Sequence, residues 1–248
     1  MKVSIITVSF NSGNTILDTI ESVKKQIYND IEYIIIDGGS TDGTLDIIKS
    51  NLDVIDEFVS EPDYGLYHAM NKGIKLAKGE IIGFLNSDDL YYDEYVISDV
   101  VNLFSDCNTD ASYANLEIVK ESNINKVVRY WKSGSYKLNK FLNGWMPPHP
   151  TVFLKSNTFK MYGDFNLNLG SSADYEIILR FFYRHRINVR YLNRTIVKMR
   201  AGGVSNKSIL NRIKANRYDK QAWLINGLKP RFYTHILKPI IKISQYFN

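Results

Sequence analysis

The chain has 248 residues, 44% of them apolar and 23% charged, and a formal net charge of +5. That length holds one large domain or two small ones around a substantial core, and the composition is ordinary for a globular protein. The single cysteine, Cys107, excludes a disulfide framework and a thiolate zinc cluster, so a reducing compartment is expected.

In chain order, Lys2–Phe10 is a nearly continuous apolar run, as in a central parallel strand. Asn14–Gln26 places Ile16, Ile20, Val23 and Ile27 at helical spacing. Ile31–Asp37 predicts a second buried strand, Thr44–Leu52 a second helix and Glu57–Ser60 a short third strand. A helix over about Gly65–Ala77 has Leu66, Met70, Ile74 and Ala77 on one face, and the strand Ile81–Asn86 follows. This alternation predicts an α/β fold on a parallel sheet. Beyond Asp110 the pattern changes. Strands at Ala111–Val119 and Lys126–Trp131 are read as antiparallel or mixed, Ala173–Arg184 as a helix and Asn188–Met199 as a strand. One continuous domain over residues 1–206 is expected, with a nucleotide-binding half to residue 90, an acceptor-binding half after it, and a helical tail over 207–248.

Charge is unevenly spread. Residues 207–248 hold nine of the 31 Lys and Arg but one of the 26 acids, Asp219, which leaves 22 basic and 25 acidic residues in the first 206. A near-neutral body with a basic tail suggests an anionic surface as partner. In the tail, Phe232, Tyr233, Ile236, Leu237, Ile240, Ile241, Ile243, Tyr246 and Phe247 recur with helical spacing among Lys229, Arg231, Lys238 and Lys242, with Pro239 interrupting. Basic amphipathic helices with aromatic residues lie in membrane interfaces. The alternative is a helix packed on its own domain or on a second copy in a homo-oligomer. Residues 1–30 do not read as a signal peptide, and no stretch approaches the roughly 20 apolar residues of a membrane span. The expected location is cytoplasmic, peripheral on the inner face of the cell membrane.

In open parallel sheets ligands bind beyond the carboxyl ends of the strands. Four polar clusters fall there: Thr7-Val8-Ser9-Phe10-Asn11, Asp37-Gly38-Gly39-Ser40-Thr41-Asp42-Gly43, Glu61-Pro62-Asp63-Tyr64-Gly65 and Asn86-Ser87-Asp88-Asp89. Each alone is turn chemistry, but four on one sheet edge predict a site. Neither a GxGxxG fingerprint nor a GxxxxGK[ST] loop is present, against a dinucleotide or Walker-type site. Adjacent carboxylates at the end of a buried strand repel unless they share a cation, and oxygen ligands suit Mg2+ or Mn2+. The alternative is that Asp88 and Asp89 cap a helix starting near Tyr92.

The series TVSFN, DGGSTDGT, SEPDYGLYHAMNKGI and GFLNSDD, covering Thr7–Asp89, resembles glycosyltransferase family 2, which has the GT-A fold, and within it bacterial transferases that build O-antigen or capsule repeat units. Met146–Leu154 (MPPHPTVFL) and Ser171–Phe181 (SSADYEIILRF) also resemble that subgroup. The resemblance implies a Rossmann-like, mostly parallel sheet with helices on both faces, and an inverting, metal-dependent enzyme. It implies a UDP-sugar donor and a glycan acceptor, with a polyprenyl-diphosphate carrier giving the tail its purpose. By that resemblance Thr7, Ser9 and Asn11 line the nucleotide, Asp37 recognises uracil, and Asp63 and Lys72 flank base and ribose. Asp88 and Asp89 match the metal motif, the second acid as the direct ligand. Asp174 fits the catalytic base, although the acid that usually precedes it is replaced by Ala173.

His149, held between Pro148 and Pro150, is a candidate to contact acceptor or a donor phosphate, the alternative being a histidine in a Pro-rich turn without a partner, and Arg200 with Lys198 is a candidate for the diphosphate, the alternative being a surface ion pair. Trp131 and Trp145 are read as core, and Cys107 receives no role. Two alternatives compete. A sugar-phosphate nucleotidyltransferase is disfavoured because no GGxGTRL-like opening follows the first strand. A nucleic-acid-binding protein is disfavoured because the body is net acidic and the tail's cations alternate with aliphatics.

Overall fold

The apolar runs of the first half form β1 (Val3–Ser9), β2 (Ile31–Asp37), β3 (Glu57–Ser60) and β4 (Ile81–Phe84). They lie in the order β3-β2-β1-β4, all parallel. Alternate residues of β1 feed two cores, Ile6 and Val8 one, Val3 and Ile5 the other, so both faces of the strand are covered. Helices α1 (Ile16–Lys24) and α2 (Thr44–Lys49) pack in the second core, and α3 (Leu66–Leu76) in the first. Helix α3 buries Ala69, Met70 and Gly73, while Leu66, expected on that face, is exposed. A Cβ at Gly73 would stand 2.4 Å from Ile6 Cγ2, so the missing side chain lets α3 press directly onto β1.

The computed structural model describes residues 1–202, 209–234, 237 and 238. Among them the sheet continues from β4 through β8 (Phe153–Lys155), β6 (Ala111–Lys120), β9 (Val189–Arg200) and β5 (Asp89–Tyr91), with β7 (Asn123–Trp131) paired to β6. β8 runs antiparallel to both β4 and β6, β9 parallel to β6, and β5 antiparallel to β9. The sheet is therefore parallel in its first half and mixed in its second. The short strands β5 and β8, and the helix α5 (Ser156–Tyr162), were not predicted. Three residues are too few for a period to show. Helix α4 spans Val96–Phe104, later than the expected start near Tyr92, so Asp88 and Asp89 cap no helix; Asp89 opens β5 instead.

Helix α6 (Ala173–Ile178) runs on through a wider turn, Leu179–Arg184. Helix α7 (Ile209–Ile225) packs against α6, with Trp223 fully buried in the first core and its indole N–H donating to the Tyr175 hydroxyl at 2.8 Å. A division at residue 206 thus cuts through packed structure, because α7 belongs to the core rather than to a separate tail. The Thr234 hydroxyl donates to the Leu142 carbonyl at 2.6 Å, and Lys238 Nζ pairs with the buried Asp219 at 2.6 Å. Of the amphipathic tail, Ile236, Pro239, Ile240, Ile241, Lys242, Ile243, Tyr246 and Phe247 lie outside the described residues. Among the described residues no helix is long and apolar enough to cross a membrane. Trp223→Ala should destabilise the protein by about 3–5 kcal/mol, the usual cost of emptying a large aromatic site. Chemical denaturation measures it, and a loss below about 1 kcal/mol would mean that α7 is not part of the cooperative core.

Candidate active site

Beyond the ends of β1 and β2 the loops are tied together by Asp37. Its buried carboxylate accepts from the Gly39 and Ser40 amides (3.0 and 2.9 Å) and from the Ser40, Ser60 and Ser9 hydroxyls (2.5, 2.8 and 3.0 Å). Burial acts to raise its pKa, yet these donors win and hold it below the ordinary carboxylate value. The neighbouring loops are laced in the same way. The Asn11 amide donates to Ser40 Oγ at 2.8 Å, the Thr41 amide to Asn11 Oδ1 at 3.0 Å, and the Ser12 amide to Thr44 Oγ1 at 2.8 Å. Thr7 lies wholly inside the sheet and accepts from the Tyr33 hydroxyl at 3.1 Å. Asp37 was expected to read uracil directly and Thr7 to line the nucleotide. Both side chains are turned inward and hydrogen-bonded to protein partners, in the wall beneath the loops.

An unsatisfied acceptor lies beside them. The Asp63 side chain is 6% exposed; its Oδ1 takes His68 Nδ1 at 2.8 Å and Lys72 Nζ at 2.5 Å. Its Oδ2 is buried without a hydrogen-bond partner among the described residues. A Cβ built on Gly38 would come within 3.4 Å of the Phe10 ring and 3.7 Å of Asp63 Oδ2, so the glycine keeps the space between them open. The rings of Phe10 and Tyr64 are 64% and 94% exposed at this edge. Lys72 also pairs with Glu61 at 2.7 Å, which neutralises it within the protein.

The paired aspartates are inequivalent. Asp89 is fully enclosed: Oδ2 accepts the Asn86 amide at 3.0 Å, and Oδ1, like Asn86 Oδ1, is buried without a partner among the described residues. Burial, then the Asp88 charge, pushes its carboxyl well above the usual range. Asp88 is half-buried and also shifted upward, by burial first, with Arg200 opposing and Glu121 adding. Arg200, expected to meet diphosphate, is buried behind the motif, donating to the Asp88 carbonyl at 2.9 Å and pairing with Asp18. The Ser12 and Ser87 hydroxyls meet at 2.7 Å and join the β1 loop to the motif. Lys198 lies over the Tyr92 ring, 5.1 Å from its centroid. Among the described residues no group of three or more His, Cys, Asp and Glu is arranged to hold a metal.

Asp174, in the first turn of α6, is half-buried, and its Oδ1 accepts the Tyr175 amide at 2.7 Å. His149 stacks on Phe84, the last residue of β4, at 5.6 Å and 27°, and meets Phe165 edge-on at 5.6 Å. Burial lowers the imidazole pKa and the Asp174 charge opposes that shift, so His149 is neutral near pH 7. The stack puts His149 at the end of the strand that leads into Asn86–Asp89. Trp145 is core, as read, its indole N–H donating to the Ser133 carbonyl at 2.9 Å. Phe10 and Asn86, which the sequence did not single out as site residues, both stand inside its motifs beside the named acids.

The family model for glycosyl transferase family 2 matches residues 4–164. An uncharacterized glycosyltransferase of Mycobacterium tuberculosis is 34% identical over 182 residues, 72% of this chain and 68% of the relative. The Escherichia coli UDP-Glc:alpha-D-GlcNAc-diphosphoundecaprenol beta-1,3-glucosyltransferase WfaP is 39% identical over 120 residues, 48% of this chain and 47% of its own length. Among solved structures, S. aureus TarS 1-349 in complex with UDP-GlcNAc superposes with a TM-score of 0.74 at 17% identity, covering 100% of this chain and 73% of that one. That likeness establishes the GT-A architecture. With well over half of the chain matched by the family model, this protein belongs to glycosyl transferase family 2.

Proposed function

We propose that this glycosyltransferase moves a sugar from a UDP-sugar, with inversion at the anomeric carbon, to a glycan carried on polyprenyl diphosphate, in bacterial surface polysaccharide synthesis. The observation that carries the donor half is the orphaned Asp63 Oδ2 beside the open Gly38 cradle. Uracil presents one ring N–H between two carbonyls, a match for a carboxylate oxygen with no other donor, and the exposed Phe10 ring offers a face for the base. Cytosine lacks that N–H. UDP should therefore bind at least about tenfold tighter than CDP, as losing a hydrogen bond to a charged group implies, and Asp63→Asn should erase most of the difference. Calorimetric titration of both nucleotides tests it; equal affinities for the wild-type protein would overturn the assignment.

A divalent ion, Mg2+ or Mn2+, fits a site that lacks a protein cage, since such ions take one or two carboxylates and complete their shell with phosphate oxygens and water. Asp88, the accessible member of the pair, would hold it. Asp89 supports from behind through Asn86, which reverses the expected order of the two acids. The ion supplies charge stabilisation to the departing diphosphate. Asp174 accepts the proton of the acceptor hydroxyl as that oxygen attacks the anomeric carbon from the face opposite the diphosphate. Neutral His149 is placed to hydrogen-bond the acceptor beside it.

The WfaP likeness supports a lipid-diphosphate acceptor. Membrane contact then falls to exposed Leu224, Ile225 and Phe232 with the exposed cations Lys229 and Arg231. Lys238, counted earlier among the membrane-facing cations, is paired with Asp219 and sits 3.9 Å from the Tyr175 ring centroid, so it belongs to the fold.

A further inference from the structure

Helix α3 serves both halves of the site through two pairs of side chains, each pair one helical turn apart. His68 and Lys72 both reach Asp63 Oδ1, at 2.8 and 2.5 Å, on the donor side. Tyr67 and Asn71 both reach Phe165, which stands 94 positions beyond Asn71 in the chain. The Asn71 side chain accepts the Phe165 amide at 3.0 Å and donates to its carbonyl at 2.9 Å, and the Tyr67 ring lies 5.3 Å from the Phe165 ring. A carboxamide suits this contact because it carries a donor and an acceptor side by side, as a peptide unit does. Phe165 is buried, and its ring packs edge-on against Phe84 at 5.4 Å and against His149 at 5.6 Å. His149 is thus held between the face of Phe84 and the Phe165 ring. Arg180 takes the preceding carbonyls of Gly163 and Asp164 at 3.1 and 2.6 Å, and Asn71 anchors the next residue from the donor half.

We infer that Asn71 is a positioning residue for acceptor binding: by fixing Phe165 it sets His149 relative to the donor pocket that the same helix builds through Asp63. This rests on the reading of His149 as an acceptor contact. The tilt of the imidazole follows the two rings packed on it, and the Phe165 ring follows its own backbone, which Asn71 holds at both polar atoms. Helix α3 is seated on β1 at Gly73, so one rigid element relates the imidazole to the sheet edge where the nucleotide binds. Transfer needs the acceptor hydroxyl aligned with the anomeric carbon, and a misplacement of about 1 Å costs about 100-fold.

The test uses the full-length protein. Asn71→Ala removes both bonds to Phe165; Phe165→Leu keeps the backbone that Asn71 holds and removes the ring from His149. The readouts are acceptor kcat/KM with the UDP-sugar and diphosphate-linked glycan that the wild type turns over, UDP affinity by calorimetry, and the His149 imidazole Cε1–H resonance by NMR without ligand. Asn71→Ala should lower acceptor kcat/KM by about 10–100-fold and shift the His149 resonance, whose position reflects the ring currents of Phe84 and Phe165. UDP affinity should stay within about twofold, since His68 and Lys72 still hold Asp63. The resonance of His185, stacked on Tyr162 at 3.9 Å, should not move. Phe165→Leu should reproduce this pattern, and it serves in place of Asn71→Ala if that variant does not fold. Combining Asn71→Ala with His149→Phe, which keeps a ring on Phe84, should be no slower than His149→Phe alone. Unchanged acceptor kcat/KM, an unmoved His149 resonance, losses that multiply in the double variant, or a fall in UDP affinity matching that in kcat/KM would each overturn the inference. Wild-type acceptor kcat/KM in His149→Phe would instead remove the reading of His149, a pattern distinct from these four.

Discussion

Asp174→Asn is expected to leave UDP binding and folding intact while reducing transfer by about 10²–10⁴-fold, the range that removal of a general base costs. An amide of the same shape takes no proton at neutral pH, and the contact of Asp174 Oδ1 with the Tyr175 amide can be kept by the Asn oxygen. The defect therefore falls on turnover and spares affinity. Single-turnover transfer kinetics beside calorimetric UDP titration measure the two separately. Normal turnover with lost donor affinity would make Asp174 a binding residue instead.

The second large effect concerns the acidic pair. Asp88→Asn should lower transfer by at least 10²-fold, about 2.7 kcal/mol of lost charge stabilisation at the diphosphate. Excess chelator should do the same to the wild type. Asp89→Asn should be the milder change in activity, because its carboxyl is enclosed, takes the Asn86 amide and is pushed toward its neutral form by burial and by Asp88. Transfer assays of both variants across added Mg2+ and Mn2+ decide between the two orders. If Asp89→Asn were the more damaging and Asp88→Asn near wild type, Asp89 would be the ligand after all. Full wild-type activity in chelator would remove the metal from the reaction.

The first 90 residues were legible because strand and helix periods alternate cleanly there. β1, β2 and β4 are apolar on both faces, and α1 and α3 are amphipathic. The second half was harder for physical reasons. β8 has three residues between a Pro-rich turn and α5, and β5 begins at Asp89, a residue whose charge argues against a buried strand. Its backbone is tied there by Thr19, whose hydroxyl donates to the Asp89 carbonyl at 2.8 Å, and no local pattern announces that contact across 70 residues.

For the site, the sequence placed the clusters but not the direction of each side chain. Asp37 and Thr7 lie in recognisable motifs, yet a motif gives residue type and not direction. Asp37 is drawn inward by three hydroxyls contributed by three different segments. Arg200 was read as a diphosphate contact or half of an ion pair, and its partner, Asp18, stands 182 positions away. Asp63 shows the converse: the family resemblance placed it near the base, but its value as an acceptor depends on Gly38 leaving a gap from another strand end. Hydrophobic spacing does not say what covers a helix, and the tail reading left both a membrane and a protein cover open. In α7 the cover is α6, with Trp223 between them.

The central claim, inversion with Asp174 opposite the leaving group, is tested most directly by the stereochemistry of one product. The full-length protein would be given an α-linked UDP-sugar and a diphosphate-linked glycan acceptor. The new glycosidic bond would then be read by proton NMR at the anomeric position. The account predicts a β-linked product; an α-linked product would contradict it.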